Sequence, residues 1–187
     1  MDKLFFFDLE TTGVKFWKNG IHQISGAIVI DGEIKESFDM HVRPYKDAII
    51  EDEALAVAGV TREQIAEYPD MLHVYQHIIQ MLSKYVDKYN KKDKFHLVGY
   101  NNAAFDNPFF RAFFTQCGDV YFGSWFWADS IDLMVLASNM FRAIRGTFEN
   151  FQLKTVARKL GIEVDETKLH DAKYDIELCI KMYEKLK

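Results

Sequence analysis

The chain has 187 residues, 49% hydrophobic and 27% charged, which is enough apolar material for one domain with a real core and too much for a disordered one. Its net charge of −5 at pH 7 excludes a nucleic-acid binder held by bulk positive charge, so any such contact must be local or bridged by cations. Two cysteines, Cys117 and Cys179, make no disulfide framework, and no apolar run approaches the length of about 18 residues that a membrane span needs. The apolar stretch Leu4–Phe7 is also too short for a signal peptide. The mature chain is therefore expected to begin near Met1, to be cytoplasmic, and to have no membrane association.

Leu4-Phe5-Phe6-Phe7 is a continuous apolar run, as in a strand covered on both faces. Ile21–Ile30 and Ile34–Val42 read as two further strands, and Asp31-Gly32 between them is a hairpin signal, so the chain is expected to open with a three-strand meander. A short helix is predicted over Glu51–Ala58, ended by Gly59; Thr61 can cap the next, with Gln64 completing a capping box. Met71, Val74, Ile78, Leu82 and Tyr85 form a helical stripe over Met71–Tyr85. The run Lys88 to Lys94, with Lys91, Lys92 and Asp93, reads as the solvated end of that helix. Phe95–Gly99 is a short strand. A helix starts near Asp106, with Pro108 in its first turn. Ser130–Phe141 and Phe151–Leu160 are expected to be helical, the second stopped by Gly161, and a last helix runs from about Asp171 to Leu186. No repeat, linker or biased tract interrupts the pattern, so residues 1–187 read as a single domain: a mixed sheet with helices packed on its faces, of the α/β class.

Several carboxylates fit this frame poorly. Asp8 and Glu10 lie two apart at the end of the buried first strand and so point to the same face, where each raises the other's pKa. The spacing alone leaves two readings open, a strand end that reaches solvent or a cation-binding pair. Thr11-Thr12-Gly13 then turns the chain and offers backbone amides nearby. In the last helix the apolar stripe is Ala172, Ile176, Cys179, Ile180 and Tyr183, and Asp175 falls within it. An inward carboxylate must be hydrogen-bonded, paired or metal-bound, or else be an acid of the first turn favoured by the helix dipole. Asp106, taken alone, reads as an N-terminal cap. His170 precedes Asp175 by five residues, about 500° of helical rotation, and so is placed in the loop leading into the helix.

Together these residues resemble a known family. Phe6-Phe7-Asp8-Leu9-Glu10-Thr11-Thr12-Gly13 resembles the first motif of the DEDDh 3′–5′ exonucleases, the group of the bacterial DNA polymerase III epsilon proofreading subunit (DnaQ-like). Asn102-Ala103-Ala104-Phe105-Asp106 resembles the second motif. His170 to Asp175 is similar to the third, with a histidine five residues before the acid. Ala58-Gly59-Val60-Thr61 and Phe151–Leu160 match intervening segments, and the similarity runs from about Lys3 to Leu186. Asn101 stands where the family often has His, and Gln23 where it often has Glu. The sister subgroup carries Tyr four residues before the last acid; here Asp171 stands there, so the His variant is the match. The resemblance implies an RNase H-like fold with a five-stranded mixed sheet flanked by helices.

The resemblance also implies removal of nucleoside 5′-monophosphates from single-stranded 3′ ends by metal-dependent hydrolysis. Two Mg²⁺ or Mn²⁺ ions about 3.5–4 Å apart would neutralise the carboxylates and clamp the attacking and leaving oxygens. Asp8 would bridge both ions, Glu10 and Asp175 would complete the site that holds the nucleophilic water, and Asp106 would hold the second ion. His170 would be the general base, with an unperturbed pKa of about 6.5 suited to neutral pH. The Thr11 and Thr12 amides and the Asn102 side chain are candidates to hold the terminal nucleotide. Leu9 and Phe105 are candidates to wedge against its base, or to be core.

DNA 3′ ends are the favoured substrate. RNA ends, as in oligoribonuclease-like or tRNA-trimming relatives, are the enzyme alternative, and a catalytically dead nucleic-acid-binding module is the other. A DNA polymerase acting in trans is a candidate partner; the chain ends soon after the third motif, with no evident tethering extension. The aromatic run Tyr121–Trp127 is either a stacking surface or core. His73 and His77 lack a third ligand and read as surface, and Asp129 and Asp132 as a cap and a first-turn acid.

Overall fold

In a computed structural model, which describes residues 1–168 and 172–187, strand β1 (Lys3–Thr11) lies at the centre of the sheet. It pairs antiparallel with β2 (Ile21–Ile30), which pairs antiparallel with β3 (Glu33–His41). On its other side β1 pairs parallel with β4 (His96–Gly99), and β4 with β5 (Ile131–Asp132), giving a five-stranded mixed sheet of order β3-β2-β1-β4-β5. The meander is closed at Asp31-Gly32 with φ of 49° and 84°, the two left-handed residues of a tight hairpin turn.

Helices cover both faces. α1 (Asp52–Ala58) ends at Gly59 in the left-handed conformation, and α2 (Arg62–Ala66) begins with the Thr61–Gln64 capping box. The odd positions of β1, Phe5, Phe7 and Leu9, join the core beneath α3 (Met71–Ser83) and α4 (Asp106–Gln116). The even positions, Leu4 and Phe6, join the core beneath α5 (Leu133–Met140), α6 (Leu153–Lys159) and α7 (Ala172–Leu186). That alternation explains the apolar run: both faces of the strand are covered. Phe5 alone packs its ring against Phe7, Phe38, Phe95, Phe110 and Phe126. Gly26 in β2 lies so close to the Phe6 carbonyl and the Phe38 ring that a Cβ would collide with both.

Two features depart from the expectations. Ile131 and Asp132, read as part of a helix, form β5 instead, because their backbone extends the parallel ladder from Val98 and Gly99. The lysine run ending at Lys94 is not a helix end: α3 stops at Ser83 and the run lies in turns, anchored where Lys3 bonds Asp93 and the Tyr85 carbonyl. In the aromatic run, Phe122, Trp125 and Phe126 are core, and Tyr121 is exposed. His73 and His77 are on the surface of α3. Among the described residues no helix is long and apolar enough to cross a membrane.

Candidate active site

Asp8 and Glu10 occupy even positions near the C-terminal end of β1, on the face covered by α7. Asp175 lies in the first turn of α7, and Asp106 in the first turn of α4. The folding therefore brings carboxylates from three elements to one end of the sheet. Burial raises the Asp8 carboxyl well above the usual carboxylate range, and Asp106, Glu10 and Asp175, in that order, raise it further. Burial also pushes Asp106 up to about 7, against the lowering effect of the Leu9 amide and its own amide; Glu10 and Asp132 push it higher. Such mutual elevation requires closeness, and it marks a site poised for positive charge.

Asp106 is not the helix cap that it reads as when taken alone. Phe105 holds the cap position of α4, and Asp106 Oδ1 accepts from the Leu9 amide at 3.2 Å, tying the start of α4 to β1 between the two acids. His170 and Asp171 lie outside the described residues.

The expected nucleotide-binding groups divide. Thr12 is fully buried; its amide donates to the Gly20 carbonyl at 2.8 Å and its hydroxyl to the Ile49 carbonyl at 2.8 Å, so the amide is not the free donor that was expected. The Thr11 hydroxyl donates to the Gly13 carbonyl at 2.8 Å. Leu9 is 5% exposed and its side chain belongs to the core under α4. Phe105 packs partly buried on that core, its ring 5.2 Å from that of Phe109. Asn102 is fully buried; its Nδ2 reaches Asn107 Oδ1 at 3.4 Å, and its Oδ1 has no hydrogen-bond partner among the described residues. Gln23, opposite Glu10 in the ladder, donates to Asp39 at 2.7 Å.

Asp132 is the residue that the sequence reading undervalued. Of the pair with Asp129, Asp132 is the cap: its Oδ1 accepts from the Met134 and Val135 amides at 2.9 and 3.4 Å. The same carboxylate also accepts from Asn101 at 3.0 Å and Ala103 at 3.3 Å. It thereby fixes the loop that delivers Asp106, in which Asn101 holds a left-handed φ of 61°. Asn tolerates that conformation better than most residues. Gly99 admits the loop: a Cβ there would stand 2.8 Å from Asn102 Cβ. Only the acidic character of position 132 hinted at this role.

The donor chemistry suits a hard divalent cation, because all four clustered groups offer carboxylate oxygens and the negative charge of the others raises Asp8. The fit rests on that charge and chemistry rather than on a finished cage: among the described residues no three His, Cys, Asp or Glu side chains close up as a metal site.

Comparisons with known proteins bear on this arrangement. A model of the exonuclease family RNase_T matches residues 5–183. The PolC-type DNA polymerase III of Bacillus cereus is 25% identical over 180 residues, covering 94% of this chain and 11% of that one. The Bacillus subtilis protein of the same description is 26% identical over 180 residues, again 94% of this chain and 11% of that one. The chain thus spans about a tenth of the length of the curated relatives it matches. Among solved structures, E. coli exonuclease I in complex with a dT13 oligonucleotide has a TM-score of 0.76 at 20% identity, over 98% of this chain and 40% of that one. The zinc-bound form of the E. coli exonuclease I–ssDNA complex matches with a TM-score of 0.76 at 20% identity, over 100% of this chain and 40% of that one. At these identities the likeness establishes the fold, which is RNase H-like. The family match spans nearly the whole sequence, and the chain belongs to the RNase_T exonuclease family.

Proposed function

We propose that residues 1–187 form a single metal-dependent 3′–5′ exonuclease domain that releases nucleoside 5′-monophosphates from single-stranded 3′ ends, with DNA preferred. The observation that carries the reading is the convergence of Asp8, Glu10, Asp106 and Asp175 on one end of the sheet, where burial and the other three acids raise the pKa of Asp8, and burial and Glu10 raise that of Asp106. Asp8, Glu10, Asp106 and Asp175 would hold two Mg²⁺ or Mn²⁺ ions. When bound, these supply positive charge against the scissile phosphate and its attacking and leaving oxygens. Asp106 keeps its orientation through the Leu9 amide. His170 takes the proton of the attacking water, a role that the ordinary imidazole pKa of about 6.5 suits near neutral pH. The Thr11 amide from β1 and the Asn102 side chain from the loop before α4 would hold the terminal nucleotide, and Phe105 would meet its base.

The preference for DNA follows the neighbouring exonuclease I structures, which were solved with deoxyoligonucleotides. The relatives of DNA polymerase III support a polymerase as the partner that presents the 3′ end. The test is digestion of matched 5′-labelled DNA and RNA oligonucleotides with Mg²⁺, Mn²⁺ or EDTA, with products identified by mass. Mononucleotides released stepwise from the 3′ end, only with added metal and faster from DNA, support the reading. Release from the 5′ end, internal cuts, or no products with either metal refute it.

A further inference from the structure

The loop between β1 and β2 carries an exposed apolar tip on a braced stem. Phe16 and Trp17 are 39% and 68% exposed and pack edge to face at 5.1 Å. Behind them Asn19 is buried, 1% exposed; its Oδ1 accepts from the Lys15 amide at 2.8 Å and its Nδ2 donates to the Ile49 carbonyl at 2.8 Å. Thr12 adds the bonds to Gly20 and Ile49 already described, and a Cβ at Gly13 would run into the Asn19 side chain. The stem is thus fixed from within while two large rings are left facing water. Apolar surface held outward by a rigid support has a use.

The rings form one wall of an open groove of about 510 Å³, whose other wall is α4 through Pro108, Arg111, Ala112, Thr115 and Gln116. Both walls lead to the carboxylates. The loop leaves β1 after Thr11, one residue past Glu10, and α4 begins with Asp106, two residues before Pro108. From Pro108 to Gln116 the groove follows α4 for about 12 Å. Arg111 lines it with a guanidinium seated over the Phe122 ring at 4.6 Å, a cation beside stacking surface in a chain of net charge −5. Flat rings, one cation and continuity with the site that cleaves the strand end describe a path for single-stranded bases.

We infer that the Phe16–Trp17/α4 groove is a binding subsite for nucleotides upstream of the two that flank the scissile bond, with Trp17 stacking a base and Arg111 meeting the backbone phosphate. This rests on the exonuclease reading above and names where the rest of the strand lies. The test compares wild type, Trp17→Ala, Trp17→Phe and Arg111→Gln. Binding of 5′-fluorescein-labelled decathymidylate and dithymidylate is measured by anisotropy in EDTA, and hydrolysis of both in Mn²⁺. Stacking of one base is worth about 5- to 150-fold in affinity. Trp17→Ala is expected to weaken decathymidylate binding by about tenfold or more while leaving dithymidylate hydrolysis unchanged. Trp17→Phe should restore most of the loss, and Arg111→Gln should flatten the salt dependence. Unchanged decathymidylate binding in Trp17→Ala overturns the inference and leaves the rings to a protein partner. An equal loss on both lengths overturns it too. If wild type hydrolyses neither substrate, the exonuclease reading fails, and the anisotropy series decides the groove by itself.

Discussion

Asp106→Asn isolates the charge problem at the site without changing its volume. The folded carboxyl titrates near 7, mainly because it is buried, against an ordinary value of 3.8. The folded state therefore holds a proton that the unfolded chain gives up near pH 4. The stabilisation this provides is complete below about 3.8 and is lost as the pH rises towards 7. At about 1.4 kcal/mol per pH unit, the group costs wild type about 2–3 kcal/mol of stability between pH 5 and pH 8. Asparagine keeps the carbonyl oxygen that accepts from Leu9 and carries no charge at either pH. Urea unfolding in EDTA should show the variant gaining about 2–3 kcal/mol on wild type from pH 5 to pH 8. Addition of Mn²⁺ at pH 8 should shrink the gap by stabilising wild type alone. A stability difference that is the same at both pH values would refute the assignment of Asp106 to a crowded acidic site.

Other outcomes follow from the same structure. His22 is fully buried with neither ring nitrogen hydrogen-bonded among the described residues, and burial, with help from His41, lowers its pKa to about 4. The unfolded chain then takes the proton first, so stability is full above about 6.5 and falls by up to about 3 kcal/mol as the pH drops to 4. In His22→Gln this acid limb should flatten in a pH series of urea melts; an unchanged slope would count against the buried neutral ring. Asp132→Ala strips the acceptor from four backbone amides and should cost about 1–3 kcal/mol and slow turnover, whereas Asp129→Ala, at an exposed position, should do neither. Equal behaviour of the two variants in melts and in oligonucleotide digestion would contradict the placement of Asp132.

Local signals in the sequence carried far. The bounds of β2, the Asp31-Gly32 turn and the Thr61–Gln64 box depend on neighbours within a few residues, and each was readable from spacing. The shared face of Asp8 and Glu10 follows from the two-residue period of a strand. What could not be read depends on partners far along the chain. β5 has only two residues and no periodicity, and it exists because β4 offers an open edge. Asp106 looks like a cap until Leu9, 97 residues away, claims its oxygen. The Thr12 amide looks available until Gly20 takes it. No sequence pattern shows that Asn19 holds the stem behind Phe16 and Trp17.

The most direct measurement is Mn²⁺ titration by calorimetry of wild type and Asp8→Asn, near pH 7 in two buffers that differ in ionisation enthalpy. Carboxyls raised by burial and by their acidic neighbours must lose protons to take a cation, so wild type should bind Mn²⁺ with proton release. Asp8→Asn should bind far more weakly. Equal affinity in the two proteins, or binding with no proton released, would contradict a cation site built by Asp8 and its acidic neighbours.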